Sequence, residues 1–148
     1  MTRLVKRITS RVPGAIAACG LLALLACGDN NPRVIENRQW SDNYAFRITV
    51  DPTPPRAIED ATYRIVVQDK KTGEPIETGE GRIFATSQDG ANTDDGLAKA
   101  PEIGTYNARL FFPTSGDWAI AIQFRRMSTQ QLERVNWVQS VGNASGPG

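Results

Sequence analysis

No histidine occurs anywhere in these 148 residues. The commonest general base and the commonest metal ligand are therefore both missing. No imidazole is present to activate a serine or threonine. Cysteine is scarce too: Cys19 and Cys27 are the whole supply, and both lie near the N-terminus. Methionine is equally rare, with Met1 and Met127. Soft-metal chemistry, which depends on thiolates, thioethers and imidazoles, has almost nothing to work with. Beyond the N-terminal stretch no basic excess exists either. All 16 acids but only 13 of the 17 bases lie beyond residue 26, which leaves that part of the chain at −3. A nucleic-acid partner, which calls for a basic face, is excluded on that ground. Carboxylate pairs occur only in loop-like stretches, so the sequence reads as no enzyme, with no catalytic residues, no metal site and no cofactor.

Long hydrophobic runs are also missing. The one apolar stretch starts at Val12 and ends Leu21-Leu-Ala-Leu-Leu-Ala26, short of the roughly 20 residues of a membrane span. It follows Arg3, Lys6, Arg7 and Arg11, with no acid among them. A basic start and a short apolar core have the proportions of an export signal. Leu24-Leu25-Ala26-Cys27-Gly28 follows directly and resembles the lipobox of bacterial lipoproteins, where a peptidase cuts before a cysteine that carries lipid. A thiolate is the one side chain there able to form the thioether, and small residues before it let the backbone enter a protease cleft. Ile16-Ala17-Ala18-Cys19-Gly20 fits the same pattern. Cutting there would leave too short an apolar core and strand Leu21–Ala26 on the mature chain, so Cys27 is the expected lipid attachment. The plainer alternative is an ordinary signal that happens to contain a cysteine. Residues 1–26 are thus expected to be signal peptide and 27–43 a lipidated, polar tether. The domain would sit outside the cytoplasm, lipid-anchored to a membrane of the bacterial cell envelope, and periplasmic in a Gram-negative cell.

From Cys27 the chain has about 120 residues, one domain's worth. Period-two alternation dominates it. Tyr44, Phe46, Ile48 and Val50 alternate with Ala45, Arg47 and Thr49, until Asp51-Pro-Thr-Pro-Pro55 stops the strand. Ala61–Asp69, Glu80–Ser87 and Leu132–Val141 read as further strands. The richest stretch is Gly104–Arg126: Tyr106, Ala108, Leu110 and Phe112 alternate on one side of Pro113-Thr-Ser-Gly-Asp117, and Trp118, Ile120, Ile122 and Phe124 on the other. It reads as a hairpin around a tight turn. Gln88–Ile103 reads as a long loop, and Gly142–Gly148 as a disordered tail. No internal repeat or amphipathic helix emerges. Six or seven short strands with turn signals between them predict an all-β sandwich over residues 44–141.

These segments carry a resemblance. Tyr44-x-Phe-x-Ile48, Pro52-Thr-Pro54-Pro55, Asp69 to Gly73-Glu-Pro75-Ile76, Gly104-Thr-Tyr106 and Ser115-Gly-Asp-Trp118 resemble the YtkA-like family. That family is similar to the FixH proteins and adopts an immunoglobulin-like fold. The resemblance covers about residues 44–125 and implies such a sandwich here. It also implies, as an alternative function, an accessory role in copper handling or respiratory oxidase assembly. Family members that handle metal carry methionines and histidines in their loops, and this chain departs from that pattern.

Remaining features have bland and sharp readings. Asp89, Asn92, Asp94, Asp95 and Glu102 crowd the long loop in the manner of calcium ligands, but Ala91 and Thr93 occupy ligand positions, and a solvated loop is the expectation. Trp118 and Trp137 fall in register with buried rows. Trp40 does not, and with Arg125 and Arg126 it makes the expected surface for an unidentified protein partner in the cell envelope. Lys70, Lys71 and Arg134 cover wet faces in the plainer reading. The function expected is non-enzymatic: a membrane-anchored domain that binds or scaffolds a partner.

Overall fold

The computed structural model describes residues 35–146, and Cys19 and Cys27 lie outside them. No helix occurs among the described residues. Nine strands form: β1 (Asn37–Trp40), β2 (Tyr44–Asp51), β3 (Asp60–Asp69), β4 (Glu80–Ser87), β5 (Asn92–Gly96), β6 (Ala98–Lys99), β7 (Thr105–Phe111), β8 (Gly116–Arg125) and β9 (Glu133–Val141). All pairings are antiparallel. The first sheet runs in the order β1-β2-β3-β7-β6 and the second β5-β4-β8-β9. Stacked face to face, they make an immunoglobulin-like sandwich.

Alternation places the core between the sheets. The first sheet turns Phe46, Ile48, Tyr63, Ile65, Tyr106 and Leu110 inward, and the second turns in Ile83, Trp118, Ile120, Ile122 and Phe124. Edge-to-face ring pairs lock the layers together. Phe124 meets Tyr44 at 5.1 Å and Tyr106 at 5.4 Å, and Phe112 meets Trp118 at 5.1 Å. Every buried core residue lies between Tyr44 and Val141, so this segment encloses a core of its own. Ile76 comes from the connection between β3 and β4, and its carbonyl accepts the hydroxyl of buried Tyr106 at 2.7 Å. Gly104 makes room for that connection. At φ +70° it adopts a left-handed conformation, and a Cβ there would stand 2.6 Å from the Pro75 Cβ.

The expected hairpin is absent. β7 and β8 follow each other in sequence but belong to opposite sheets: β7 pairs with β3 and β6, and β8 with β4 and β9. Residues 112–115 arch from one layer to the other. The inward rows of the two strands therefore face one another across the core, with Trp118 fully buried between the sheets.

Three other boundaries move. The span 88–103 expected as loop contains β5 and β6. β5 pairs with β4 in the second sheet, and two residues later β6 pairs with β7 in the first. The crossing closes that side of the sandwich. The Asp95 carboxylate accepts the Arg109 backbone N–H at 2.7 Å, and the Thr93 hydroxyl accepts that of Phe111 at 3.4 Å. Strand β1 falls inside the span 27–43 expected as tether, so Trp40 sits on a strand paired with β2, not on a free linker. At the other terminus, residues 142–146, expected as disordered tail, are held. The Gly142 N–H donates to the Pro55 carbonyl at 2.8 Å, its carbonyl accepts from Ala57 at 2.9 Å, and the Ser145 hydroxyl accepts from Arg56 at 2.7 Å.

Candidate functional site

At one end of the sandwich a groove of about 930 Å³ opens between the β1–β2 turn, the end of β3 and the β8–β9 turn. Its near wall exists because Ser41-Asp-Asn43 reverses the chain between Trp40 and Tyr44. Short polar side chains favour such a turn because they bond nearby backbone, and here the Ser41 N–H donates to the Tyr44 carbonyl at 3.0 Å. Lys70 fixes the turn from below, donating its backbone N–H to the Asn43 carbonyl at 2.9 Å and its ammonium to the Ser41 carbonyl at 2.8 Å.

Glu133, first residue of β9, fastens this turn to the second sheet. Its carboxylate accepts the Ser41 hydroxyl at 2.5 Å, the Asn43 N–H at 2.9 Å and the Asn43 side-chain amide at 2.6 Å. Burial alone would raise its carboxyl, but these donors outweigh burial and hold it below its ordinary value. The floor is the Tyr44 hydroxyl, which accepts the Arg126 N–H at 3.0 Å and donates to Gln130 at 3.4 Å.

Among the groove's cations Arg126 is the one with a buried donor left unbonded. Its guanidinium reaches the Asp69 carboxylate through one bond of 3.3 Å, and its Nε is buried with no partner. Asp69 is already engaged by the backbone N–H groups of Thr72 and Lys71, which lower its carboxyl more than Arg126 does. A forked donor with only one weak bond made is suited to a second acceptor, such as a carboxylate or a backbone carbonyl. Trp40, 60% exposed, and Leu132, 48% exposed, supply apolar lips beside it.

Two of the three expected partner residues, Trp40 and Arg126, thus line one groove. Arg125 does not line it. It stands behind, pairing with Glu80 and donating to the Gln130 carbonyl at 3.3 Å, and so props the β8–β9 turn. Sequence reasoning missed Tyr44 and Glu133. Tyr44 reads as core because its ring is core, and only its hydroxyl reaches the groove. The signal that could have found the turn was Ser41-Asp-Asn43 between two aromatic residues. Arg134 lines the groove as well, while Lys71 does not.

The crowded carboxylates of residues 89–102 separate. Asp94 pairs with Arg82, Asp95 caps Arg109, Glu102 lies 3.5 Å from Arg64, and Asp89 bonds Ser87. Because Asp94 and Asp95 are neighbours on a strand, they point to opposite faces. No group of three such side chains converges among the described residues.

A two-sheet antiparallel sandwich with a polar groove at one end defines the class: an immunoglobulin-like domain. The YtkA-like family model matches residues 38–123, and the chain belongs to that family. The crystal structure of a DUF4426 family protein from Pseudomonas aeruginosa is similar in fold, with a TM-score of 0.57 at 13% identity, covering 74% of this chain and 97% of that one. No curated protein matches the chain. Neither family is one of known enzymes. The matched span ends before Arg125, so the β8–β9 turn that walls the groove, and β9 itself, lie beyond it.

Proposed function

We propose that this protein is a non-enzymatic lipoprotein of the bacterial cell envelope, lipidated at Cys27, whose sandwich binds a protein partner at the Trp40–Arg126 groove. One observation carries the reading: the incompletely bonded Arg126 guanidinium lies in the same groove as the exposed ring of Trp40. Arg and Trp are the residues that most often dominate binding at protein interfaces. The nine residues between Cys27 and Asn37 give a lead of at most about 35 Å, enough to present the groove above headgroups.

Two measurements test the two halves separately. Cys27→Ser moves the protein from the membrane to the soluble fraction, whereas Cys19→Ser leaves it in the membrane. Release by the Cys19 change alone overturns the attachment site. For the groove, cross-linking in native membranes captures a partner with the parent, and the combined Trp40→Ala and Arg126→Ala changes abolish that capture. The same partner recovered equally with the double variant overturns the groove as the binding surface.

A further inference from the structure

Four strand edges bound the two sheets, and three of them are blunted. β1 has four residues, β6 has two, and β5 places two aspartates within five residues. Shortness and charge are how native sheets prevent edge-to-edge pairing. β9 has neither protection beyond its first two residues. It runs nine residues in unbroken register with β8, without proline, glycine or bulge. From Val135 to Val141 it carries no charge. Its two ends are occupied: Glu133 by Ser41 and Asn43, and Gly142 just beyond by Pro55 and Ala57. Between them, among the described residues, no backbone hydrogen bond reaches β9 from outside its ladder with β8. The only further bond to its backbone there comes from the Gln139 amide, on the Ser140 carbonyl at 3.2 Å. On the outer face Val138 is 69% exposed, beside exposed Asn136.

We propose that the outer edge of β9 pairs antiparallel with β9 of a second copy about a twofold axis at Trp137, joining the two second sheets into one continuous sheet. One feature favours a second copy over a foreign strand. A twofold pairing requires a strand complementary to its own reverse, and β9 meets that condition. With Trp137 at the axis, Arg134 lies opposite Ser140 of the other copy, Val135 opposite Gln139, and Asn136 opposite Val138. No like charges oppose, because the only charges, Glu133 and Arg134, sit at one end of each strand and are carried apart by the antiparallel arrangement. The middle of the strand is also rich in Val and Trp, which suit cross-strand packing. The pairing leaves the groove open and depends neither on it nor on the lipid.

Sedimentation of the soluble segment Gly28–Gly148, which contains the whole core, tests the proposal. The expected result is a reversible dimer forming at concentrations between about 1 and 100 μM. Asn136→Lys with Val138→Lys sets lysines directly opposite one another twice across the axis. Both side chains are exposed in the single copy, so a circular dichroism melt of the dilute variant should match the parent. Its dissociation constant should rise at least about tenfold. Arg134→Cys with Ser140→Cys checks the register: these positions meet only between copies, so oxidation should yield a covalent dimer. A parent that stays monomeric at about 1 mM overturns the proposal. So does a dimer indifferent to the two lysines, or one that the cysteine pair fails to link.

Discussion

The two lateral sides of this sandwich are closed by different means. On the β5–β7 side the chain itself crosses from sheet to sheet, and Asp95 and Thr93 satisfy edge N–H groups of β7. On the β1–β9 side no strand crosses. One carboxylate, Glu133, ties the β1–β2 turn to the second sheet at one end, Gly142 bonds Pro55 and Ala57 at the other, and the backbone of β9 between them is left without outside bonds. A sheet edge leaves polar backbone groups that must find partners in the protein, in water or in another chain. The side closed covalently has little left to offer. The side closed only at its two ends keeps both a groove and a free edge, and both proposed contact surfaces lie there.

The largest expected effect concerns what both sides enclose. Trp118→Ala should cost about 3–5 kcal/mol, as for a large aromatic removed from a core. Total stability for such a domain is about 5–15 kcal/mol, so urea melts of the lipid-free segment should show a variant that is barely folded. A Trp118→Ala variant melting like the parent would mean that the sheets do not close over this ring.

Next comes Glu133→Gln, which tests the side that no strand crosses. Loss of charge and of one acceptor oxygen should cost about 1–2 kcal/mol at neutral pH, after allowance for solvent at the groove rim. The sign with pH is fixed by the lowered carboxyl. Its contribution is complete above the ordinary value of 4.5 and is lost as pH falls through the lower folded value. Parent and variant stabilities should therefore converge in acid, and parallel curves would rule the carboxylate out as the tie.

Asp95→Ala tests the side closed by the chain. A cost of about 0.5–1 kcal/mol is expected, because the crossing strand remains and water can reach the freed N–H. Hydrogen exchange at Arg109 should quicken while exchange at the β1–β2 turn does not change. If Asp95→Ala cost more than Glu133→Gln, the contrast between the sides would be reversed. Smallest is Trp40→Ala, at under about 0.5 kcal/mol, since the ring lies on the surface. Its effect should appear in partner capture and not in the melt.

What the sequence could tell follows from what alternation encodes. Period two assigns each residue to a face, and the bounds of β2 and β4 follow from it to within a residue. It says nothing about which strand lies alongside. Pro113-Thr-Ser-Gly116 has the composition of a hairpin turn, yet an arch between sheets uses the same residues, and the inward rows of β7 and β8 would look identical either way. β5 was invisible for a different reason. Asn92-Thr-Asp-Asp-Gly96 buries no apolar row, and it is a strand because its backbone completes β4 while its side chains serve β7. β1, as Asn-Arg-Gln-Trp, likewise offers no pattern. At the site, Trp40 and Arg126 were legible as residues out of place in a core, but Glu133 was not, because its partners are 90 and 92 positions away in the chain.

The arch at residues 112–115 also sets the order in which the chain can find its shape. With no hairpin between β7 and β8, the most aromatic stretch of the sequence cannot close on itself as a local unit. Each of its halves also needs a distant strand on one side: Ala108 pairs with Tyr63, 45 residues earlier, and Ile122 with Ile83, 39 residues earlier. Closing such loops costs entropy before any contact rewards it, and sandwiches of this kind fold in roughly milliseconds to seconds. Locally connected pairs such as β8 with β9 are free to form early. Until β3 and β4 arrive, Trp118 and its neighbours stand uncovered, so a nascent chain is most exposed to aggregation in the interval before the two sheets meet.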